Sequence, residues 1–211
     1  MPLYSVELNA VNDQLALTAH DVWAVGVSTT ASTSGVTPRT VPNPVTQTLI
    51  EHWNGHSWKA VKSPNPASAT NSLNAIAAVS PRDIWAVGQQ APAGEGPQQT
   101  LVEHWNGKGW RVVASPNAGS AGGALKGTTI VNKKNIWAVG VSAEFPSAFS
   151  WKTLIEHWNG KSWKIEPSPN VGSSGSILYA VASLPWSGKL WAVGAYETSS
   201  AFLRTLAAYS Y

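Results

Sequence analysis

The chain has 211 residues, 43% of them apolar, which is enough to bury a sizeable core. Only 12% are charged, and the excess of 14 Lys and Arg over 11 Asp and Glu is scattered, so no nucleic-acid footprint is visible. The absence of cysteine excludes disulfides and thiolate metal sites. Twelve Trp against three Phe and five Tyr are the compositional outlier, and large rings indicate wide packed interfaces.

A repeat of about 52 residues runs through the chain. A Thr-Leu pair recurs in each unit. Its Leu stands at positions 49, 101, 154 and 206, at intervals of 52, 53 and 52. The motif WAVG opens at Trp23, Trp85, Trp137 and Trp191, and its first interval is longer, at 62. The insertion lies between the first WAVG and the first Leu, in the loop Val27 to Gln47.

Each unit is read as four antiparallel strands. A run such as LNAIAAVS (73 to 80) meets a polar turn, IWAVG follows, and after a loop TLIEHW leads through Asn-Gly into SWK. Asn-Gly between apolar runs is the strongest short hairpin signal. A two-residue turn at Asn54 and Gly55 predicts that Glu51 lies opposite Trp58, whereas a three-residue bulged loop changes every pair. Ser-Pro-Asn ends the unit at 63 to 65, 115 to 117 and 168 to 170.

Four such strands per unit predict an all-β fold, a four-bladed β-propeller. The run IWAVG, a loop and TLIEHWNGKSW is similar to the blades of Asp-box (neuraminidase-type) and kelch-like propellers. Asn54-Gly55 with Trp58 resembles a variant of the Asp-Gly turn that precedes a Trp in Asp-box blades. The Ser-x-Asp signature is absent, so the resemblance implies the architecture and no particular activity. The predicted organisation is a single domain, 1–211, with blades at 11–64, 65–116, 117–169 and 170–211.

Closure of the ring is expected to involve the amino terminus. The fourth unit ends after its third strand, RTLAAYSY, and residues 1–8 precede the first repeat. We expect Leu3 to Glu7 to complete the last blade, because a paired edge resists aggregation. The alternative is that two chains pair as half-rings of an eight-bladed dimer, with Leu3 to Glu7 exchanged between the copies.

The repeated Glu-His pairs at 51–52, 103–104 and 156–157 suggest metal binding or acid-base chemistry at first sight. Adjacent strand residues point to opposite faces, however, so the two side chains of one pair cannot converge on one site. We interpret them as structural, with a buried hydrogen-bonded His and a Glu that meets a cross-strand partner. Ala208 and Tyr209 replace them in the fourth unit.

No catalytic motif is present, and we expect no enzyme activity, no metal and no cofactor. Asp21 and Asp83, which precede WAVG, suit turns, and Asn135 and Lys189 take their places in the later units. A glycosidase needs two carboxylates within about 5 to 10 Å, and no motif brings the remaining acids together. A propeller hydrolase is the third hypothesis for the function.

Binding is the preferred function, because propellers present loops on a rigid frame. The candidate ligand-binding residues are aromatic side chains outside the repeated positions: Phe145, Phe149, Trp151 and Trp186. The loops at 27–47, 89–99, 141–152 and 195–204 join the same pair of strands and are expected to share one face.

We expect a lectin-like module that binds a glycan or a protein on this loop face. It would be secreted or on the cell surface, with no membrane span and no signal peptide visible in the chain. The alternative is a structural building block of an extracellular oligomer or filament.

Overall fold

The computed structural model describes residues 6–31, 45–94, 96–144, 150–171, 175–185, 187–198 and 202–210. Over these residues the protein is all-β, and they include no helix that could cross a membrane. The strands are β1 (Val6–Thr18), β2 (Asp21–Ala31), β3 (Val45–Trp53), β4 (Trp58–Ala60), β5 (Thr70–Ser80), β6 (Asp83–Ala91), β7 (Gln99–Trp105), β8 (Trp110–Val112), β9 (Gly122–Asn132), β10 (Asn135–Glu144), β11 (Ser150–Trp158), β12 (Trp163–Glu166), β13 (Gly175–Ser183), β14 (Leu190–Glu197) and β15 (Leu203–Ser210).

The strands form three sheets, in which strands that follow one another along the chain pair antiparallel, except for β12 and β13, which do not pair with each other. β1 to β4 make the first sheet and β5 to β8 the second. The third sheet has seven strands, in which β9 to β12 and β13 to β15 are joined by a parallel pairing of Trp151 with Gly175. We call the four chain-ordered groups the first meander (β1–β4), the second (β5–β8), the third (β9–β12) and the fourth (β13–β15).

The glycine of each WAVG motif is required by a bulge in the neighbouring strand. In the second meander the register between β5 and β6 shifts between Leu73 and Ala75, so Asn74 is the extra residue. A Cβ on Gly88 would lie 1.9 Å from the carbonyl oxygen of Ser72. The same distance, 1.9 Å, recurs in the other three meanders, at Gly26, Gly140 and Gly194. Only a residue without a side chain therefore allows the bulged strand to approach.

The Ser-Pro-Asn segments fold back onto the third strand of their own meander. The Thr100 hydroxyl lies 2.8 Å from the Ser115 hydroxyl, and the Thr100 backbone N–H donates to Asn117 Oδ1 at 2.9 Å. The same two contacts are made by Thr48 with Ser63 and Asn65, and by Thr153 with Ser168 and Asn170. The buried Thr is thereby satisfied, and the chain is directed to the next meander.

The Asn-Gly hairpin exists, but its loop has four residues, 54–57. Trp53 pairs with Trp58, and Glu51 consequently lies opposite Ala60. The side-chain oxygen of Asn54 accepts from two backbone N–H groups of the loop, at 3.0 and 3.1 Å. The register expected from a two-residue turn is therefore wrong, because the Asn side chain closes a wider loop.

Each meander packs one face against the next meander. The outgoing face carries the Trp and Val of WAVG, and the incoming face carries the Leu of the third strand and the Trp of the fourth. The first such core joins Trp23, Val25 and Ile50 to Leu73, Ile84, Leu101 and Trp110. The second joins Trp85, Val87 and Val102 to Leu125, Ile136, Leu154 and Trp163, and a third joins Val139 to Leu178, Ala192 and Leu206.

Side chains at the bulges reinforce the first two of these interfaces. Asn12 Nδ2 donates to the carbonyl oxygen of Leu73 at 2.8 Å, and Asn74 Nδ2 donates to that of Leu125 at 2.7 Å. The equivalent bulge residues in the third and fourth meanders are Lys126 and Tyr179. The bulge thus presents a side chain that can reach the next meander.

The expected closing strand is not seen in the described chain. Val6 and Glu7 pair with Ala31 and Thr30 of β2, while Leu3 lies outside the described residues. Over the part of the chain that the structure describes, β15 pairs only with β14. The described residues therefore form an open series of meanders, without a strand that joins the fourth meander to the first. Of the loop expected at 27–47, residues 27–31 belong to β2 and residues 45–47 belong to β3, while residues 32–44 lie outside the described residues.

Replacement of Gly88 by Ala tests the bulge. The new methyl group would overlap the Ser72 carbonyl oxygen, so the free energy of unfolding should fall by about 3 kcal/mol, the upper end for overpacking. Gly109→Ala is the matched control, since nothing lies within 4 Å of a Cβ there. Urea denaturation of both variants gives the comparison, and equal stabilities would contradict the bulge explanation.

Candidate functional sites

The first cluster of polar side chains recurs in three meanders at the start of the WAVG strand. Asp21 Oδ1 accepts from Trp23 Nε1 at 3.0 Å and lies 2.8 Å from His52 Nε2. Asp83, Trp85 and His104 repeat this arrangement, with distances of 2.9 and 2.8 Å. In the third meander Asn135 takes the place of Asp, at 2.5 Å from Trp137 Nε1 and 3.0 Å from His157 Nε2. We call these the Asp/Asn-Trp-His clusters.

The rings of each cluster are stacked. The centroids of Trp85 and His104 lie 4.3 Å apart at 27°, and those of Trp137 and His157 lie 4.1 Å apart at 14°. In each cluster one side-chain oxygen, from a carboxylate in the first two and from an amide in the third, holds both the tryptophan and the histidine in a fixed orientation. The cluster supports packing, as the sequence suggested for the histidines, and within the described residues no group of three or more His, Asp and Glu could hold a metal ion.

Sequence reasoning did not find the partnership between the turn residue and the histidine. Asp21, Asp83 and Asn135 were explained by turn chemistry alone. The signal was available within the repeats: Asp or Asn occurs in the units that carry His, and in the fourth unit Lys189 occurs together with Tyr209. Such paired changes are typical of residues in contact.

Variants of Asp83 test the cluster. Asp83→Asn should change the free energy of unfolding by less than about 1 kcal/mol, because Asn135 makes the same contacts in the third meander. Asp83→Ala should lower it by about 1 to 3 kcal/mol, since Trp85 and His104 both lose their partner. Guanidinium denaturation followed by Trp fluorescence measures both, and equal losses in the two variants would contradict the hydrogen-bonding role.

The second feature is a pair of buried carboxyl groups between meanders. Glu103 and Glu156 are fully buried. Among the described residues, no donor forms a hydrogen bond with either carboxyl group. Burial raises the pKa of Glu103 to about 8 and, with Thr100 acting in the opposite direction, that of Glu156 to about 8 as well. The residues opposite them in the hairpins are Val112 and Ile165, whose apolar side chains cannot hydrogen-bond a carboxyl group, so the hydrogen-bonding partner expected across the strand is not found among the described residues.

These carboxyls predict a pH-dependent stability. The folded chain keeps a proton up to a pKa of about 8, while the unfolded chain releases it near 4.5, so the free energy of unfolding should fall as pH rises between these values. Each pKa unit of difference corresponds to about 1.4 kcal/mol. Glu103→Gln should therefore match the wild type at pH 4 and exceed its stability at pH 8.

Thermal unfolding of wild type, Glu103→Gln and the double variant Glu103→Gln, Glu156→Gln from pH 4 to 9 provides the measurement. The fall in the free energy of unfolding with rising pH should be steepest in the wild type, smaller in Glu103→Gln and smallest in the double variant. Parallel profiles for the three proteins would show that neither carboxyl is held in its neutral form.

The third feature is a pocket beside Trp151, the only aromatic candidate from the sequence that lies within the described residues. The pocket has a volume of about 270 Å³. The Trp151 side chain is 50% exposed. The lining residues include Gln98, Ser142 and Lys126, and Lys126 Nζ donates to Gln89 Oε1 at 3.2 Å. Burial lowers the pKa of Lys126.

Main-chain contacts fix the position of this pocket. Trp151 pairs with Ala143 in β10 and with Gly175 in β13, so its backbone is held at the junction of the third and fourth meanders. Gly122 forms a parallel bridge with Gln98, which brings the second meander to the same place. The other three candidates, Phe145, Phe149 and Trp186, lie outside the described residues.

The larger cavity, of about 570 Å³, lies between the third and fourth meanders and is lined mainly by apolar side chains, including Trp137, Val139, Ala192 and Ala208. At the two preceding interfaces the WAVG Trp instead meets a pair of Trp rings, as Trp85 meets Trp158 and Trp163 at centroid distances of 5.0 and 5.8 Å. In the described chain the fourth meander has three strands and Ala208 in place of Glu.

Comparison with known proteins gives no assignment. No family model matches the chain, and no curated protein matches it. The function has to be inferred from the residues themselves.

Proposed function

We propose that the four meanders are blades of a β-propeller of the kind the sequence resembles, and that the chain is a non-catalytic, lectin-like binding module. The repeated packing of one meander on the next supports the blade arrangement, because the same Trp and Val positions face the same Leu and Trp positions at successive interfaces. In this arrangement the pocket beside Trp151 is the ligand site.

One observation carries the binding proposal: a half-exposed Trp stands beside a pocket whose lining residues include Gln98, Ser142 and Lys126, which carry side-chain amide, hydroxyl and amine groups. Sugars bind by stacking their C–H faces on aromatic rings, with hydrogen bonds from their hydroxyls to such groups. The volume is below the roughly 300 to 1,000 Å³ of sites for drug-sized ligands, so it suits one sugar ring better than an extended chain.

The polar groups of the pocket belong to positions at which the repeats differ. Lys126 occupies the bulge position that holds Asn12 and Asn74 in the first two meanders, and Trp151 occupies the strand position that holds Thr46 and Gln98. Residues that maintain the fold are repeated in each unit, whereas these two are not. Their placement together is therefore better explained by a ligand than by packing.

Trp151→Ala is the decisive variant. A glycan array with the full chain identifies an oligosaccharide, and calorimetry with that oligosaccharide then compares the proteins. Loss of a stacking anchor should cost about 2 kcal/mol, which is roughly a thirtyfold weaker affinity. Trp58→Ala, which removes an equally exposed Trp from the first meander, should retain the affinity per chain. The absence of any glycan bound by the wild type, or equal affinities of the two variants, would overturn the proposal.

A further inference from the structure

The two ends of the chain expose complementary halves of the interface that joins the meanders internally. Among the described residues, no meander covers the incoming face of the first meander or the outgoing face of the fourth. The residues concerned have equivalents in the internal interfaces, so their exposures can be compared position by position.

The incoming face of the first meander is open at positions that are otherwise buried. Trp58 is 45% exposed, whereas its equivalents Trp110 and Trp163 are 6% and 4% exposed. Val11 is 54% exposed, whereas the three residues at its position, Leu73, Leu125 and Leu178, are 0% exposed. Glu51 is half-buried on the same face, where Glu103 and Glu156 are fully buried.

The outgoing face of the fourth meander is open in the same way. Val193 is 45% exposed, whereas Val25, Val87 and Val139 are at most 1% exposed. Trp191 is also 45% exposed, against 4% for both Trp23 and Trp85. Tyr179, at the bulge position from which Asn12 and Asn74 reach the next meander, is exposed as well.

The internal interfaces show how such faces fit together. Trp23 meets Trp110, and Trp85 meets Trp163, in both cases with ring centroids 5.8 Å apart at 70°. Val25 shares a core with Leu73, and Val87 shares one with Leu125. Application of the same pairing to the ends places Trp191 against Trp58 and Val193 against Val11.

We infer that the outgoing face of the fourth meander binds the incoming face of the first meander of a second copy of this chain. The contact is head to tail and continues the interface already present within one chain. Head-to-tail contacts of this kind build either a closed ring of chains or an open filament. If two chains close into a ring, the result is a dimer with two identical interfaces. The occupant of both faces is therefore the chain itself.

The mass of the assembly in solution is the first measurement. Light scattering and sedimentation at about 50 µM should give twice the 22.3 kDa of one chain, or a larger multiple of it. A monomer at this concentration would overturn the inference, because the two end faces would then be unoccupied or joined within one chain.

Two variants, each with one blocked face, test the pairing. Val193→Glu and Val11→Lys place a charge at the centre of the outgoing and the incoming face respectively, and each should be monomeric on its own. Both positions are already exposed, so folding should be retained, which the far-ultraviolet circular dichroism verifies. Val171→Glu, at an exposed Val in the connection between β12 and β13, is the matched control and should assemble like the wild type.

A mixture of the two variants distinguishes a head-to-tail contact from other dimers. The Val193→Glu chain keeps its incoming face and the Val11→Lys chain keeps its outgoing face, so the mixture contains one intact interface and should regain the dimer. Failure of the mixture to reassociate, or persistence of the dimer in either variant alone, would contradict the inference.

Discussion

The packing of the WAVG tryptophan of one meander against two tryptophans of the next is the interaction on which the rest of the structure depends. Trp23 lies with its ring centroid 5.2 Å from that of Trp105 and 5.8 Å from that of Trp110. A ring of this size buries roughly 150 to 250 Å², so a single repeated contact supplies much of the interface between the first and second meanders and of that between the second and third. The Asp/Asn-Trp-His cluster holds the same ring by its Nε1 atom, and the orientation of the interface is thus fixed from within its own meander.

The buried carboxyls show that the interface is not a purely apolar surface. Glu103 is fully buried and has no hydrogen-bond partner among the described residues, and burial raises its pKa to about 8. Near neutral pH it is therefore largely protonated, which removes most of the cost of burying a charge. The half-buried Glu51, at the same position of the first meander, illustrates that this environment arises only where a preceding meander covers the face.

Much of the fold could be predicted from the sequence, because the repeat and the strand alternation are visible as residue patterns. The all-β class and the packing role of the repeated tryptophans are confirmed. The bulge beside Gly88 could not be predicted, since alternation does not show where one strand gains a residue. The four-residue loop after Trp53 was missed for a related reason: the Asn54 side chain, not the Asn-Gly pair alone, decides the turn. For the candidate pocket, composition indicated Trp151, but the neighbouring Lys126 depends on the bulge and was not identified.

A repeat of this kind separates the demands of folding from those of recognition. Residues at positions that are alike in the meanders pack in the interfaces between them. A substitution at such a position therefore changes the stability of the fold first, and binding only as a consequence. Trp151 and Lys126 depart from the repeat where two meanders join, so they can be specialised without loss of a repeated contact. Val11 and Val193 are apolar, like the residues at the equivalent positions of the other meanders. Their side chains are exposed, however, whereas those equivalent residues are buried. An apolar residue at an equivalent position is therefore core between two meanders and surface on the outer faces of the first and fourth meanders, and the proposed contact between those two faces would bury it there as well.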